Sequence, residues 1–109
     1  MPELEHSFYY RGFMCYIILR RMTSTLYRCG YVAAPEDKDN FDVSDIWCHG
    51  GITYDYYEPP TPLAIKDKKH YIGFDCLHFA DTIGEWTLDR VREELINIVN
   101  QILEQESEE

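Results

Sequence analysis

No stretch of this chain approaches the ~18 to 20 consecutive apolar residues that a membrane span requires, and the N-terminus, Met1-Pro2-Glu3-Leu4-Glu5, is acidic where a signal peptide would be basic. A soluble, intracellular protein is the expectation. Its few cysteines, Cys15, Cys29, Cys48 and Cys76, include no CxxC pair, which excludes a zinc finger of the usual spacing. In a reducing compartment they read as thiols or metal ligands rather than disulfides. There is no phosphate-cradling glycine loop, no serine-centred elbow and no HExxH helix, so the commonest NTPase, serine-hydrolase and metalloprotease mechanisms have no foothold. Positive charge is scarce too. From Tyr71 onward the only Lys or Arg residues are Arg90 and Arg92, and the whole chain carries 20 acidic against 10 basic residues, a net charge of −10. Such a surface repels a phosphate backbone and has no electrostatic route to direct nucleic-acid binding. It can attract a basic protein surface, including one that normally holds nucleic acid.

What is present amounts to one domain. At 109 residues and 45 % apolar composition, a single modest core is expected, of a size that benefits from a staple. Phe13 to Leu19 reads as a buried strand, Arg20 to Thr25 as a turn, and Leu26 to Ala33 as the returning strand. In that second strand Cys29 and Tyr31 share one face, and Gly30 marks a bulge or a close backbone approach. Pro35 to Asp42 is a charged loop, and Val43 to Trp47 is either one short helical turn or the lead into the next strand. Gly51 to Tyr57 alternates as a half-buried strand that Pro59, Pro60 and Pro62 terminate. His70 to Leu77 makes a fourth strand. Leu88, Val91, Leu95, Ile98 and Ile102 then form one apolar stripe on a helix from about Leu88 to about Gln105, N-capped by Thr87, with Trp86 as a hydrophobic staple toward Val91. The predicted architecture is α+β: an antiparallel sheet of about four strands packed against one C-terminal amphipathic helix. Residues 1–105 form the domain and 106–109 a frayed acidic tail.

Chemistry concentrates in two segments, Cys48-His49-Gly50-Gly51 and Gly73-Phe74-Asp75-Cys76-Leu77-His78 with Asp81 just beyond. Thiolate, imidazole and carboxylate are the ligands a divalent metal such as zinc selects. On a regular strand Cys76 and His78 project to the same face, whereas Asp75 joins His78 only if the strand ends or bulges there. Adjacent residues rarely both bind one tetrahedral ion, so one of Cys48 and His49 is expected to ligate, with His49 favoured. The predicted set is thus His49, Asp75 and His78 with one cysteine, Cys48 or Cys76, around a structural zinc, and Asp81 orients a ligand histidine from behind. Cys15 and Cys29 read as core residues, and His6 and His70 as structural ones. The competing catalytic reading makes Cys76 a nucleophile, His49 or His78 its base and Asp75 or Asp81 the orienter of a small metal- or cysteine-dependent hydrolase.

The combination of Cys29-Gly30-Tyr31-Val32, then Cys48-His49-Gly50-Gly51-Ile52-Thr53-Tyr54, then Gly73-Phe74-Asp75-Cys76-Leu77-His78 with Asp81, then a terminal amphipathic helix, resembles a family of small proteins of bacteriophages and prophages. The likeness runs from about Arg11 to about Leu103. Members usually have a longer, Trp-rich entry to the GFDC strand and a small residue where Leu77 stands. The family looks like the source of metal-binding anti-CRISPR proteins that block the RNA-guided nuclease of type II systems. The resemblance implies a non-enzymatic, zinc-stabilised inhibitor acting in the cytoplasm of a bacterial host through contact with the effector nuclease rather than with nucleic acid or membrane; the oligomeric state is left open, a monomer being favoured.

Overall fold

The computed structural model describes residues 2–78 and 80–107. Five strands form one antiparallel sheet: β1 (Glu3–Tyr10), β2 (Phe13–Met22), β3 (Thr25–Ala34), β4 (Tyr54–Tyr56) and β5 (His70–Asp75), in the spatial order β1-β2-β3-β5-β4. One α-helix among the described residues, α1 (Leu88–Ser107), follows. The α+β class therefore holds, with one strand more than the sequence signalled. The extra strand, β1, pairs with β2 from Glu3↔Leu19 to Tyr10↔Phe13. It lacks a clean apolar alternation because it is an edge strand: Phe8 and Tyr10 pack partly against the core while Glu3, Leu4, Glu5 and Tyr9 stay exposed. Charged residues on such an edge keep it from pairing with other chains.

β2 reads as a continuous apolar run because both of its faces are covered. Phe13, Cys15 and Ile17 join Val32, Ala34, Ile72 and Phe74 under the helix. Tyr16 and Ile18 join Cys29, Tyr31, Ala33 and Tyr71 on the other face, where Leu63 of the proline-rich connection packs over them. Arg20 donates to the Thr61 carbonyl at 2.7 Å and pins that connection to the sheet. The β2–β3 turn is tighter than its polar composition implies. Arg20, Arg21 and Met22 remain in the ladder opposite Tyr27, Leu26 and Thr25, so the reversal falls on Thr23 and Ser24. Backbone pairing continues through this stretch, where Arg21 and Met22 are exposed while Arg20 reaches back to Tyr31 and Thr61. The Val43–Asp45 segment is a 3₁₀ turn, capped by Asp42 accepting from the Ser44 amide.

The helix follows its predicted stripe. Val91, Leu95, Ile98 and Ile102 are fully buried, joined by Val99, and the Thr87 hydroxyl accepts from the Arg90 amide at 3.3 Å. Leu95 lies against β3 where Gly30 leaves room, since a Cβ there would come within 2.9 Å of Leu95 Cδ2 and of Phe74 Cε1. Gly73 is more tightly held, because a Cβ would meet the Gly30 carbonyl oxygen at 2.6 Å and Tyr31 Cδ1 at 2.5 Å. Backbone cannot yield as a side chain can, so β3 and β5 approach with the Tyr31 ring laid over Gly73. This close pairing carries Thr53, whose amide donates to the Gly73 carbonyl at 2.9 Å, alongside the end of β5. α1 extends to Ser107, and Glu108 and Glu109 lie outside the described residues.

Candidate metal centre and adjoining cleft

His49 is placed by an extended segment with an in–out–in pattern. Ile46 and Cys48 are buried and Trp47 between them is 82 % exposed. The Gln101 side-chain amide holds both polar groups of the Trp47 backbone, at 2.7 and 2.6 Å. His49 then points away from the core that takes Cys48. The chain reverses through a turn closed by the Gly51 amide on the Cys48 carbonyl, with Gly50 and Gly51 at φ of 71° and 81°. Glycine suits that backbone, and at Gly50 a second reason is steric: any Cβ would fall 2.1 Å from Cε1 of His78.

His78 reaches the same place because β5 stops at Asp75. The Asp75 carboxylate accepts from the Leu77 amide at 3.1 Å, which turns the chain. Cys76 goes into the core, and His78 emerges on the side of Asp75, its Nε2 3.8 Å from Asp75 Oδ1. A second turn, closed by the Asp81 amide on the His78 carbonyl, brings Asp81 back. One oxygen of Asp81, Oδ2, then sits 2.8 Å from His49 Nε2, 3.2 Å from His78 Nδ1 and 3.0 Å from the His78 amide, which donates to it. Trp86 stacks on His49 with centroids 3.9 Å apart and also carries the Arg90 guanidinium 4.0 Å from its ring. Burial pushes the Asp81 carboxyl up, but the hydrogen bonds from His49 and His78 outweigh it and hold the group below its ordinary value.

His49, His78 and Asp81 form a group that could hold a metal ion, with one ligand atom from each lying within 4.8 Å of the others. The donor set fits zinc and other borderline divalent cations: two imidazoles and a carboxylate, oriented by stacking and backbone bonds. A cation there would replace the protons that now bridge the rings to Asp81. The two aspartates take places opposite to the sequence expectation. Asp81 sits among the converging atoms, while Asp75 flanks the far nitrogen of His78. The cysteine ligand expected at Cys48 or Cys76 is not brought to the group, because both thiols turn into the helix-side core as their histidine neighbours turn out. The physical reason is alternation in extended backbone together with the end of β5 before Cys76.

The chain matches no protein-family model, no curated protein and no solved structure.

Sequence reasoning missed two features. Beside His78, on the sheet face away from α1, lies a cleft of about 450 Å³ between Arg20, Tyr27, Tyr31, Thr53, Tyr54 and Asp75. Its only sequence signal was the shared face of Cys29 and Tyr31. At the far end of β5, His70 is buried between the rings of Phe41 and Tyr57, at centroid distances of 5.4 and 4.6 Å. Its two nitrogens face carboxylates, Nδ1 to Asp39 and Nε2 to Asp55, each at 2.5 Å. Carboxylates only accept, so each ring nitrogen that carries a proton donates to the carboxylate it faces.

The thiols are chemically quiet. Burial pushes Cys15, Cys48 and Cys76 up to about 12, Glu94 adding to it at Cys48 and Asp81 at Cys76 while Arg92 opposes it at Cys15, and Cys29 is raised as well. A thiol whose folded pKa is raised contributes its full stability below the unfolded value of 9.0, and that contribution is lost as pH rises toward 12, where only the unfolded chain ionises. Thermal melts are therefore expected to hold steady from about pH 7 to about pH 8.5 and to fall above it. Iodoacetamide should label the folded chain at least ~10-fold more slowly than the urea-unfolded chain. Rapid native labelling of Cys76 would contradict its placement in the core.

Proposed function

We propose that this chain is a phage anti-defence protein: a non-enzymatic domain that holds a structural zinc between His49, His78 and Asp81 and inhibits a type II RNA-guided nuclease in the host cytoplasm by protein contact. The observation that carries the metal half of this reading is the convergence of His49, from the middle of the chain, with His78 and Asp81 beyond β5. A small sheet covered by one helix gains from a link between those segments. The nuclease half rests on the motif resemblance and on charge. Asp89 and Glu93 are exposed one turn apart on α1 within a chain of net charge −10, which suits docking against the basic channel that a guide and its target would otherwise fill. Among the described residues no helix is long and apolar enough to cross a membrane.

The test is target cleavage by a guide-loaded type II nuclease titrated with the zinc-loaded protein. Cleavage should fall to background near one inhibitor per nuclease, and the complex should weaken as salt rises, since opposite surface charges drive it. Undiminished cleavage at a large excess would remove the inhibitor reading.

One observation favours a hydrolase instead: the three protein ligands would leave a coordination position open, and the cleft adjoins His78. Turnover of an ester or phosphate substrate that vanishes in His78→Ala with the fold intact would decide for that reading. Its thiol-dependent version is disfavoured by the burial of Cys76, which holds the sulfur as a protonated, enclosed thiol.

A further inference from the structure

The three sequence motifs, though separated along the chain, supply the walls of one cleft. Tyr31 comes from the first, Thr53 and Tyr54 from the second and Asp75 from the third, with Arg20 and Tyr27 completing it from the β2–β3 hairpin. We propose that this cleft binds a free nucleoside monophosphate, with the base against the tyrosine rings, the ribose hydroxyls on Asp75 and the phosphate on Arg20.

Each part of the ligand has a counterpart of the right chemistry. Arg20 is half-buried and fixed in orientation, since Nε and Nη2 donate to the Tyr31 hydroxyl at 3.2 and 2.9 Å and Nη2 donates to the Thr61 carbonyl at 2.7 Å. A guanidinium has five N–H donors; Tyr31 and Thr61 engage three and the Cys29 thiol lies against the group as a further partner, which still leaves a donor for a phosphate, the anion whose geometry it fits best. Tyr54 stands edge-on to Tyr31 with centroids 5.3 Å apart, and its own hydroxyl is tied to the Glu58 carbonyl at 2.7 Å. Tyr31 itself is buried, its ring laid over Gly73, and serves to fix Tyr54; the partly exposed Tyr54 and Tyr27 rings offer the faces, and aromatic faces stack bases with little regard to base identity. Asp75 is oriented by the Leu77 amide on Oδ1 and by the Thr53 hydroxyl on Oδ2 at 3.1 Å. A carboxylate oxygen accepts more than one bond, and a fixed carboxylate is a familiar partner for ribose hydroxyls. The volume, about 450 Å³, falls in the usual range for small-ligand sites. A single fixed cation within a chain of net charge −10 favours one phosphate over a strand of them.

Calorimetric titration of the full chain in chelator, with no nuclease present, tests this independently of the inhibitor and metal readings. AMP should bind saturably, Arg20→Gln should weaken it at least ~10-fold, and adenosine and inorganic phosphate should each bind at least ~10-fold more weakly than AMP. Thr53→Val, at an exposed position, should weaken AMP binding several-fold by releasing Asp75, and serves if Arg20→Gln melts early. No saturable heat up to millimolar AMP, unchanged binding in both variants, or phosphate alone binding as well as AMP would overturn the proposal. A pentanucleotide binding as tightly as AMP would overturn the free-nucleotide assignment.

Discussion

Protein purified without added metal is expected to contain about one zinc per chain, and chelation is expected to lower its melting temperature by on the order of 10 °C or more. The magnitude follows from linkage: an ion bound about 1,000-fold above its dissociation constant stabilises the folded state by roughly 4 kcal/mol, and in a domain of about this size each kcal/mol moves Tm by several degrees. His49→Ala and His78→Ala should each abolish the zinc and the response to chelator, because each removes one of three ligand atoms gathered within 4.8 Å. Asp81→Asn should weaken the site strongly, since its Oδ2 is the point on which both imidazoles converge. Cys48→Ser and Cys76→Ser separate the two ligand assignments. If the histidine–aspartate group suffices, these variants lose core stability but keep the metal, because their sulfurs lie in the helix-side core. Loss of zinc in Cys76→Ser with the fold retained would restore the cysteine to the coordination sphere. Zinc well below stoichiometric, with no rise in Tm on adding it, would reduce the group to a hydrogen-bonded network around Asp81.

His70→Ala is expected to be at least as damaging to the metal-free fold, although no motif draws attention to this residue. The side chain ties three separate segments together: Asp39 and Phe41 from the loop after β3, Asp55 and Tyr57 at β4, and β5 itself. The Tyr57 hydroxyl donates to Asp39 at 2.7 Å and closes the circuit. Removing the imidazole leaves Asp39 Oδ1, largely enclosed, without its hydrogen-bond partner and empties the slot between two aromatic rings. Leaving a buried acceptor unpaired costs about 1 to 3 kcal/mol, and the emptied slot between the rings adds about 1 kcal/mol or more of lost packing, so roughly 2 to 4 kcal/mol is the expected figure. That corresponds to a fall in Tm of about 10 °C or more. Thermal melts of His70→Ala beside His6→Ala check this, the latter being a partly exposed residue of the edge strand. A shift of about 2 °C or less in His70→Ala would mean that the aromatic stack and the two carboxylates hold together without it. A double-mutant cycle of His70→Ala with Asp39→Asn should show coupling of about 1 kcal/mol or more, as expected for residues in direct contact within one network.

The helix, its cap and the strands β2, β3 and β5 were legible because each carries a periodic signal strong enough to survive without context. Gly30 was legible for a similar reason, as a residue without a side chain in the middle of an apolar strand. β1 was not, because an edge strand with one half-buried face needs no apolar alternation. The His70 network was hidden for another reason: its partners Asp39, Phe41, Asp55 and Tyr57 sit in a charged loop and a short strand, where polar composition says only that the backbone is near water.

The same distinction runs through the candidate site. Residue types and their order alone determined that two segments carry side chains able to ligate a metal and that a sheet and a helix would form around them. Which member of each neighbouring pair turned outward was decided only in three dimensions. Cys48 and Cys76 went to the core and His49 and His78 to the cluster, because β5 ends where the Asp75 carboxylate caps the Leu77 amide and because Gly50 leaves space for one imidazole ring. Side-chain direction in extended chain depends on phase, and phase is set by where pairing stops, a property of the assembled sheet rather than of any one segment.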